Sequence, residues 1–202
     1  MRYGRPMSAS ASLLGRLVGA VLGLLLLLAL LAGLAGMVKD NTFEARESVV
    51  IEAPLEAIHP FVAAPRQHPS WIGWNDAEDP SLQRSYSGPE QGSGALVRWQ
   101  GELFGAGSLR IEEATLAGGV RWRQVLPAGV ESRGEVTYER LSSERTRVTW
   151  REWGSVPRPH GPFFVGLVAR SLASQMRGAL GFLAAAAEGR PPPRATQSAT
   201  PH

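Results

Sequence analysis

One uncharged apolar run, Leu17 to Val38, constrains this chain more than any other feature. Its 22 residues reach about 33 Å as a helix, enough to cross a hydrocarbon core of about 30 Å. A cleaved secretory signal has an apolar core of only about 7 to 15 residues. The Leu-Ala-Gly-Leu-Ala-Gly stretch before Met37 offers a cleavage site, but the length of the run favours an uncleaved anchor. A buried core helix is disfavoured because no polar face interrupts Val18 to Leu34. Arg2, Arg5 and Arg16 precede the run without an acid among them, whereas Lys39 and Arg46 behind it are diluted by Asp40, Glu44 and Glu47. Basic residues stay on the cytoplasmic side of a span. The expected arrangement is therefore single-pass, with a cytoplasmic N-terminus and the rest of the chain outside the cytoplasm.

Four parts are expected: a basic head (1–16), a transmembrane helix (17–38), a folded domain (43–188) and a disordered tail (189–202). The tail reads Gly-Arg-Pro-Pro-Pro-Arg followed by small polar residues, which cannot bury apolar area. The formal net charge of +3 is an end effect. Between residues 39 and 189, 16 Lys and Arg stand against 18 Asp and Glu, leaving −2. A nucleic-acid-binding domain carries a basic face, so that class is set aside. With no Cys there is no disulfide framework, thiolate nucleophile or cysteine metal site.

Within the domain, Val49, Val50 and Ile51 mark a first strand over Phe43–Ala53. Pro54 then opens a short helix, Leu55–Ala63, and a helical turn follows through Pro65–Trp71. Beyond this point the period becomes two. Apolar and polar residues alternate around Val97 and Trp99, Leu109 and Ile111, Val120 and Trp122, Val136 and Tyr138, and Val148 and Trp150. Five such strands describe an antiparallel sheet solvated on one side. From Pro162 the period returns to 3.6, with Phe163, Phe164, Leu167, Val168, Leu172, Met176, Leu180 and Leu183 on one stripe and Gly189 as a stop. A helix of about 26 residues would cover the whole sheet. The expected fold class is α+β: a helix-grip fold, with a curved antiparallel sheet wrapped on a long C-terminal helix and preceded by one transmembrane helix.

The segment Tyr86-Ser87-Gly88-Pro89-Glu90-Gln91-Gly92-Ser93-Gly94-Ala95, with Trp99 four residues on, resembles the hairpin signature of the polyketide cyclase/dehydrase-like branch of the SRPBCC (START-like) superfamily. So do His68 to Trp74, the Gly105-Ala106-Gly107-Ser108 turn, Thr146 to Trp150 and the closing Gly178 to Glu188 segment. The resemblance covers about Phe43 to Glu188. The alanine-rich helix end, Ala184 to Ala187, and the membrane span depart from the general pattern. What the resemblance implies is a hydrophobic cavity between sheet and helix that takes a lipid, sterol, polyketide or aromatic molecule, in most members without a fixed catalytic constellation.

Strand parity nominates the lining of such a cavity. Trp99, Trp122, Tyr138 and Trp150 fall on the face that the helix covers, and Gln124 and Glu152 continue that parity. Trp71 and Trp74 fall where the short helices meet the sheet, near a mouth. Any one inward Trp is more often core than ligand contact; six in one domain, with a polar pair among them, suit a cavity. An inward ionised Glu152 would be costly unless paired. The simpler expectation ends the strand before it and leaves it in solvent, whereas an inward Glu152 would gain a raised pKa and a role in recognition or acid/base chemistry.

Other constellations do not form. His59, His68 and His160 lack metal-type spacing and read as surface or boundary residues. Asp76, Glu78 and Asp79 read as a solvated loop. There is no nucleophile elbow, phosphate loop or dinucleotide fingerprint, so no catalytic residue, metal or cofactor is expected. The best reading is a membrane-anchored binder of a lipid or other apolar small molecule. The alternatives are a cyclase/dehydrase-like enzyme and an accessory interaction module with a filled cavity; no protein partner is identifiable.

Overall fold

A computed structural model describes residues 9–73 and 78–191. The basic head before Ala9, Trp74, Asp76 and the tail beyond Pro191 lie outside the described residues. Helix α1 (Ala9–Val38) contains the apolar run. Its stretch Gly15–Val38 is long and apolar enough to cross a membrane, with a mean hydropathy of 2.8.

The chain turns directly into β1 (Thr42–Ile51), then α2 (Leu55–Ala63) and a 3-10 turn, Pro65–Ser70. Six further strands follow: β2 (Gln83–Ser87), β3 (Leu96–Gly101), β4 (Gly105–Thr115), β5 (Gly119–Val125), β6 (Glu131–Ser142) and β7 (Arg145–Ser155). A 3-10 turn, Gly161–Phe163, leads into α3 (Val165–Ala187). All strand pairs are antiparallel in the order β1-β7-β6-β5-β4-β3-β2. The helix-grip arrangement expected from the pattern of periods is present. The last strand loops back to pair with the first, so both termini of the domain lie on one edge, and α3 packs along β1.

Three expectations change. Strand β2 has a half-exposed edge pattern with one intermediate apolar residue, Tyr86, too faint a period to read. Gly105 to Ser108 open β4 rather than forming a turn. The stripe on α3 is buried only in its C-terminal half, at Met176, Ala179, Leu180, Leu183 and Ala184; Phe163, Phe164 and Leu167 are 46, 56 and 59% exposed. Gly189, at φ +64°, ends the helix.

The core lies between α2, the C-terminal half of α3 and the concave face of the sheet. That face has a recurrent device in which an aromatic residue stands directly opposite a glycine on the neighbouring strand. Trp99 faces Gly107, Trp122 faces Gly134 and Phe43 faces Gly154. A Cβ at Gly107 would overlap the six-membered ring of Trp99, and one at Gly134 would overlap the Trp122 indole. The rings lie down on the sheet because nothing stands beneath them.

Two polar groups expected at the surface are inside. Asp79 is 2% exposed and accepts hydrogen bonds from the Ser81 hydroxyl (2.6 Å), the Ser81 amide (3.1 Å) and the amides of Leu103 (2.9 Å) and Phe104 (3.2 Å). It fastens the loop before β2 to the β3–β4 turn, and the Ser81 hydroxyl foremost, with these amides, holds its carboxyl below the usual range. His68 is 4% exposed, with Nε2 3.0 Å from the Val62 carbonyl. On the convex face Arg and Glu alternate across strands, as in Arg121–Glu113 and Arg151–Glu44. Such exposed pairs set register more than they stabilise. Gly107→Ala is expected to cost about 1–3 kcal/mol through overpacking against Trp99, read as a lower midpoint in chemical denaturation.

Candidate functional site

The N-terminal half of α3 stands away from the sheet and roofs a cavity of about 480 Å³. The sheet provides the floor through Trp122, Gln124, Trp150 and Glu152, and α3 the roof through Leu172 and Met176. The cavity reaches the surface between Leu167 and Ser171 of α3 and Pro127 of the β5–β6 connection, all exposed. Volume and lining match ordinary small-molecule sites, which are concave, about 300–1,000 Å³ and mostly apolar with a few placed polar groups.

Four of the eight nominated residues meet here: Trp122, Gln124, Trp150 and Glu152. Trp71, Trp99 and Tyr138 do not. Trp71 is 1% exposed and away from the mouth; its indole N–H donates to the Phe61 carbonyl at 2.9 Å, and its ring stacks edge-on with Trp150. Trp99 faces a separate small pocket beside His68 and Tyr86. Tyr138 packs edge-on to His59, its hydroxyl 3.3 Å from Nδ1. Trp71 and Trp99 belong to the buried core and Tyr138 packs against it half-buried, because the inward face of a sheet is wider than the part the cavity occupies. Trp74 lies outside the described residues.

Glu152 is the chemical centre of the floor. The strand does not end before it: β7 continues to Ser155, and Glu152 is 2% exposed. Its Oε1 accepts from Gln124 Nε2 at 2.5 Å and from the Ser132 hydroxyl at 2.9 Å. Three adjacent strands, β5, β6 and β7, thus each place one polar side chain at a single point. Burial pushes the carboxyl up to about 7, opposed by the Ser132 hydrogen bond and the nearby Trp150 indole. Trp150 Nε1 nevertheless completes no hydrogen bond of normal geometry, and Trp122 Nε1 is likewise buried without a partner. Unmade bonds of this kind cost about 1–3 kcal/mol each.

Ser132 was not among the nominated residues, nor were Ser171 and Gln175, which line the α3 side. Ser132 was legible in principle. Parity run backward from Val136 through Gly134 reaches it, but Arg133 and Glu131 disguise the start of β6. Among the described residues no cluster of His, Cys, Asp or Glu could hold a metal ion.

Glu152 and His68 make opposite contributions to stability against pH. Glu152 has a folded value near 7 against 4.5, so its contribution is full below 4.5 and is lost as pH rises through 7. Burial lowers His68 from 6.5 to about 4, so its contribution is full above 6.5 and is lost as pH falls through 4. Partial burial lowers His59 as well, in the same sense as His68. Between pH 4.5 and 6.5 the opposing slopes offset. Glu152→Gln is expected to unmask the histidine slope, with stability falling on acidification by up to roughly 1.4 kcal/mol per pH unit. Urea denaturation across this range measures it; parallel wild-type and variant profiles would contradict a neutral buried Glu152.

No protein-family model matches the chain, and no curated protein matches it. Solved structures do. The di-domain aromatase/cyclase BexL from the BE-7585A biosynthetic pathway superposes with a TM-score of 0.53 at 19% identity, over 72% of this chain and 46% of that one. This chain therefore spans less than half of the di-domain protein. Norcoclaurine synthase from Thalictrum flavum gives 0.53 at 11% identity, over 71% of this chain and 94% of that one. Ara h 8.0201 gives 0.52 at 9% identity, over 74% and 99%. At such identities the likeness is one of fold alone, and the fold that this chain shares with these structures is the helix-grip fold.

Proposed function

We propose that this protein is a membrane-anchored binding domain for a lipid or another hydrophobic small molecule, with α1 as a single-pass anchor whose N-terminus is cytoplasmic. The observation that carries the reading is the 480 Å³ cavity with one polar point on an otherwise apolar floor. A filled accessory module would have no such space. The polar point indicates a ligand with an apolar body and an oxygen-bearing head. Protonated Glu152, which lines the cavity, offers a proton that a carbonyl, ester or hydroxyl oxygen would accept.

Glu152 also favours a second reading. A buried carboxyl poised near neutrality beside an apolar cavity suits general acid or base work on a bound polyketide-like substrate, as a cyclase/dehydrase-like enzyme would require. Turnover of a bound substrate that disappears in Glu152→Gln would select this reading over simple binding.

Native mass spectrometry of the full chain released from detergent tests the proposal. A co-purifying lipid or apolar molecule is expected in the wild type. Ser171→Trp, an exposed position at the mouth, should reduce that occupancy several-fold while the circular dichroism spectrum is kept. A wild-type chain that emerges empty, and stays empty when lipids are offered, overturns it.

A further inference from the structure

We propose that the cavity end of the domain is itself set into the bilayer surface: Leu103, Phe163, Phe164 and Leu167 form an apolar rim that enters the leaflet beside α1, so that the cavity opens onto lipid rather than water. The proposal rests on the reading of α1 as a membrane span and of the cavity as a ligand site.

The argument begins with topology. β1 starts at Thr42, four residues after α1 ends, and pairs there with Ser155 at the end of β7. Ser155 in turn pairs with Glu131, and Glu131 with Val125. The antiparallel order therefore brings the β3–β4 turn, the β5–β6 connection and the β7–α3 connection to the end of the sheet from which α1 departs. The cavity mouth, at Pro127 and Leu167, is at that same end.

The junction between span and domain is packed. Asn41 Nδ2 donates to the Val156 carbonyl at 2.8 Å and the Val156 amide returns a bond to the Asn41 carbonyl at 2.9 Å. Arg158 Nη2 donates to the Lys39 carbonyl at 2.9 Å. A Cβ at Gly36 would strike the Pro159 backbone and come within 3.1 Å of the Phe163 ring, and Lys39 Nζ lies 5.2 Å from the centre of that ring. Phe163 is thus level with residues 36 to 39, where the apolar run meets its first charge. That is the depth of the bilayer interface, where aromatic side chains are favoured.

Exposure follows the same axis. Among the described residues outside α1, the four most exposed large apolar side chains are Leu103 (67%), Leu167 (59%), Phe164 (56%) and Phe163 (46%), all at this end. At the far end Val50, Leu116 and Leu141 reach no more than 43%. Charged groups at this end include Lys39, Asp40, Glu102, Glu131 and Arg158, and the long basic chains can reach headgroups. A protein partner would fit an apolar rim too, but α1 runs into this face and already brings the bilayer to it.

The chain has no Cys, so single nitroxide labels can be placed without background. Leu103→Cys, Phe163→Cys and Phe164→Cys are compared with Leu116→Cys and Leu141→Cys, each in the full chain reconstituted in phosphatidylcholine nanodiscs. The rim labels should show several-fold higher collision with oxygen relative to a water-soluble nickel chelate, and the far-end labels should not. Rim labels as open to nickel as the far-end ones would overturn the proposal and leave the rim to a protein partner. Because label depth is read without any ligand, an aqueous rim in a chain that still co-purifies with lipid defeats this inference alone. An embedded rim in an empty chain defeats the binding reading alone.

Discussion

The pairing of aromatic rings with glycines across neighbouring strands is the constraint on which the rest of the molecule depends. A Trp on the concave face of a half-buried sheet would ordinarily stand up and fill the space beneath the covering helix. Here Trp122 lies over Gly134 and Trp99 over Gly107, so large apolar surfaces are buried against backbone rather than projected toward α3. The sheet gains its stabilising area without filling the grip. The space left between the flattened floor and the N-terminal half of α3 is the cavity, and α3 can hold its position because its C-terminal half carries the packing at Met176, Leu180 and Leu183.

The polar point in that floor follows from the same economy. Three strands bring Gln124, Ser132 and Glu152 together at one place, and both donors converge on one carboxylate oxygen. Two hydrogen bonds do not repay the full desolvation of a charge, which is why the carboxyl remains near neutrality rather than in the usual acid range. The cluster is costly as a core feature, and on the proposed binding reading it serves recognition. An all-apolar pocket would take any hydrophobic body in any orientation; one fixed donor and acceptor set gives a preferred end.

The large periods were legible from sequence because they record burial directly. The five alternating strands and the α3 stripe each repeat a period, whereas the apolar run is marked by its length and the short helix by Pro54. What was not legible has specific causes. Parity tells which side of a sheet Trp99 and Tyr138 face, but not which part of that side the helix covers closely. The stripe from Phe163 to Leu183 has one chemical character and two environments, core at one end and surface at the other, since the pattern marks an apolar face without marking its partner. Asp79 reads as a loop acid because its four donors come from Ser81, Leu103 and Phe104, two of which are distant along the chain. Parity turns Glu152 inward and the cost of desolvation argues against it; Gln124 on β5 and Ser132 on β6, invisible as partners in the sequence, are what hold it there.

A flexible tether would hold such a domain near a membrane and leave its orientation to diffusion, so that the mouth would face the bilayer only part of the time. The junction between residues 36 and 41 removes that freedom. Arg158, Asn41 and Phe163 tie the end of α1 to the segment that leads into α3, which is also the segment bounding the cavity mouth. Span, connection and roof therefore form one mechanical unit. With α1 in a bilayer, as proposed, these contacts set the orientation of the mouth before any ligand arrives. In energetic terms the rotational freedom is lost once, on folding, rather than at each encounter with the leaflet. The apolar end of the α3 stripe, unexplained as core, has a physical reason to be exposed on the proposed reading, in which it meets lipid.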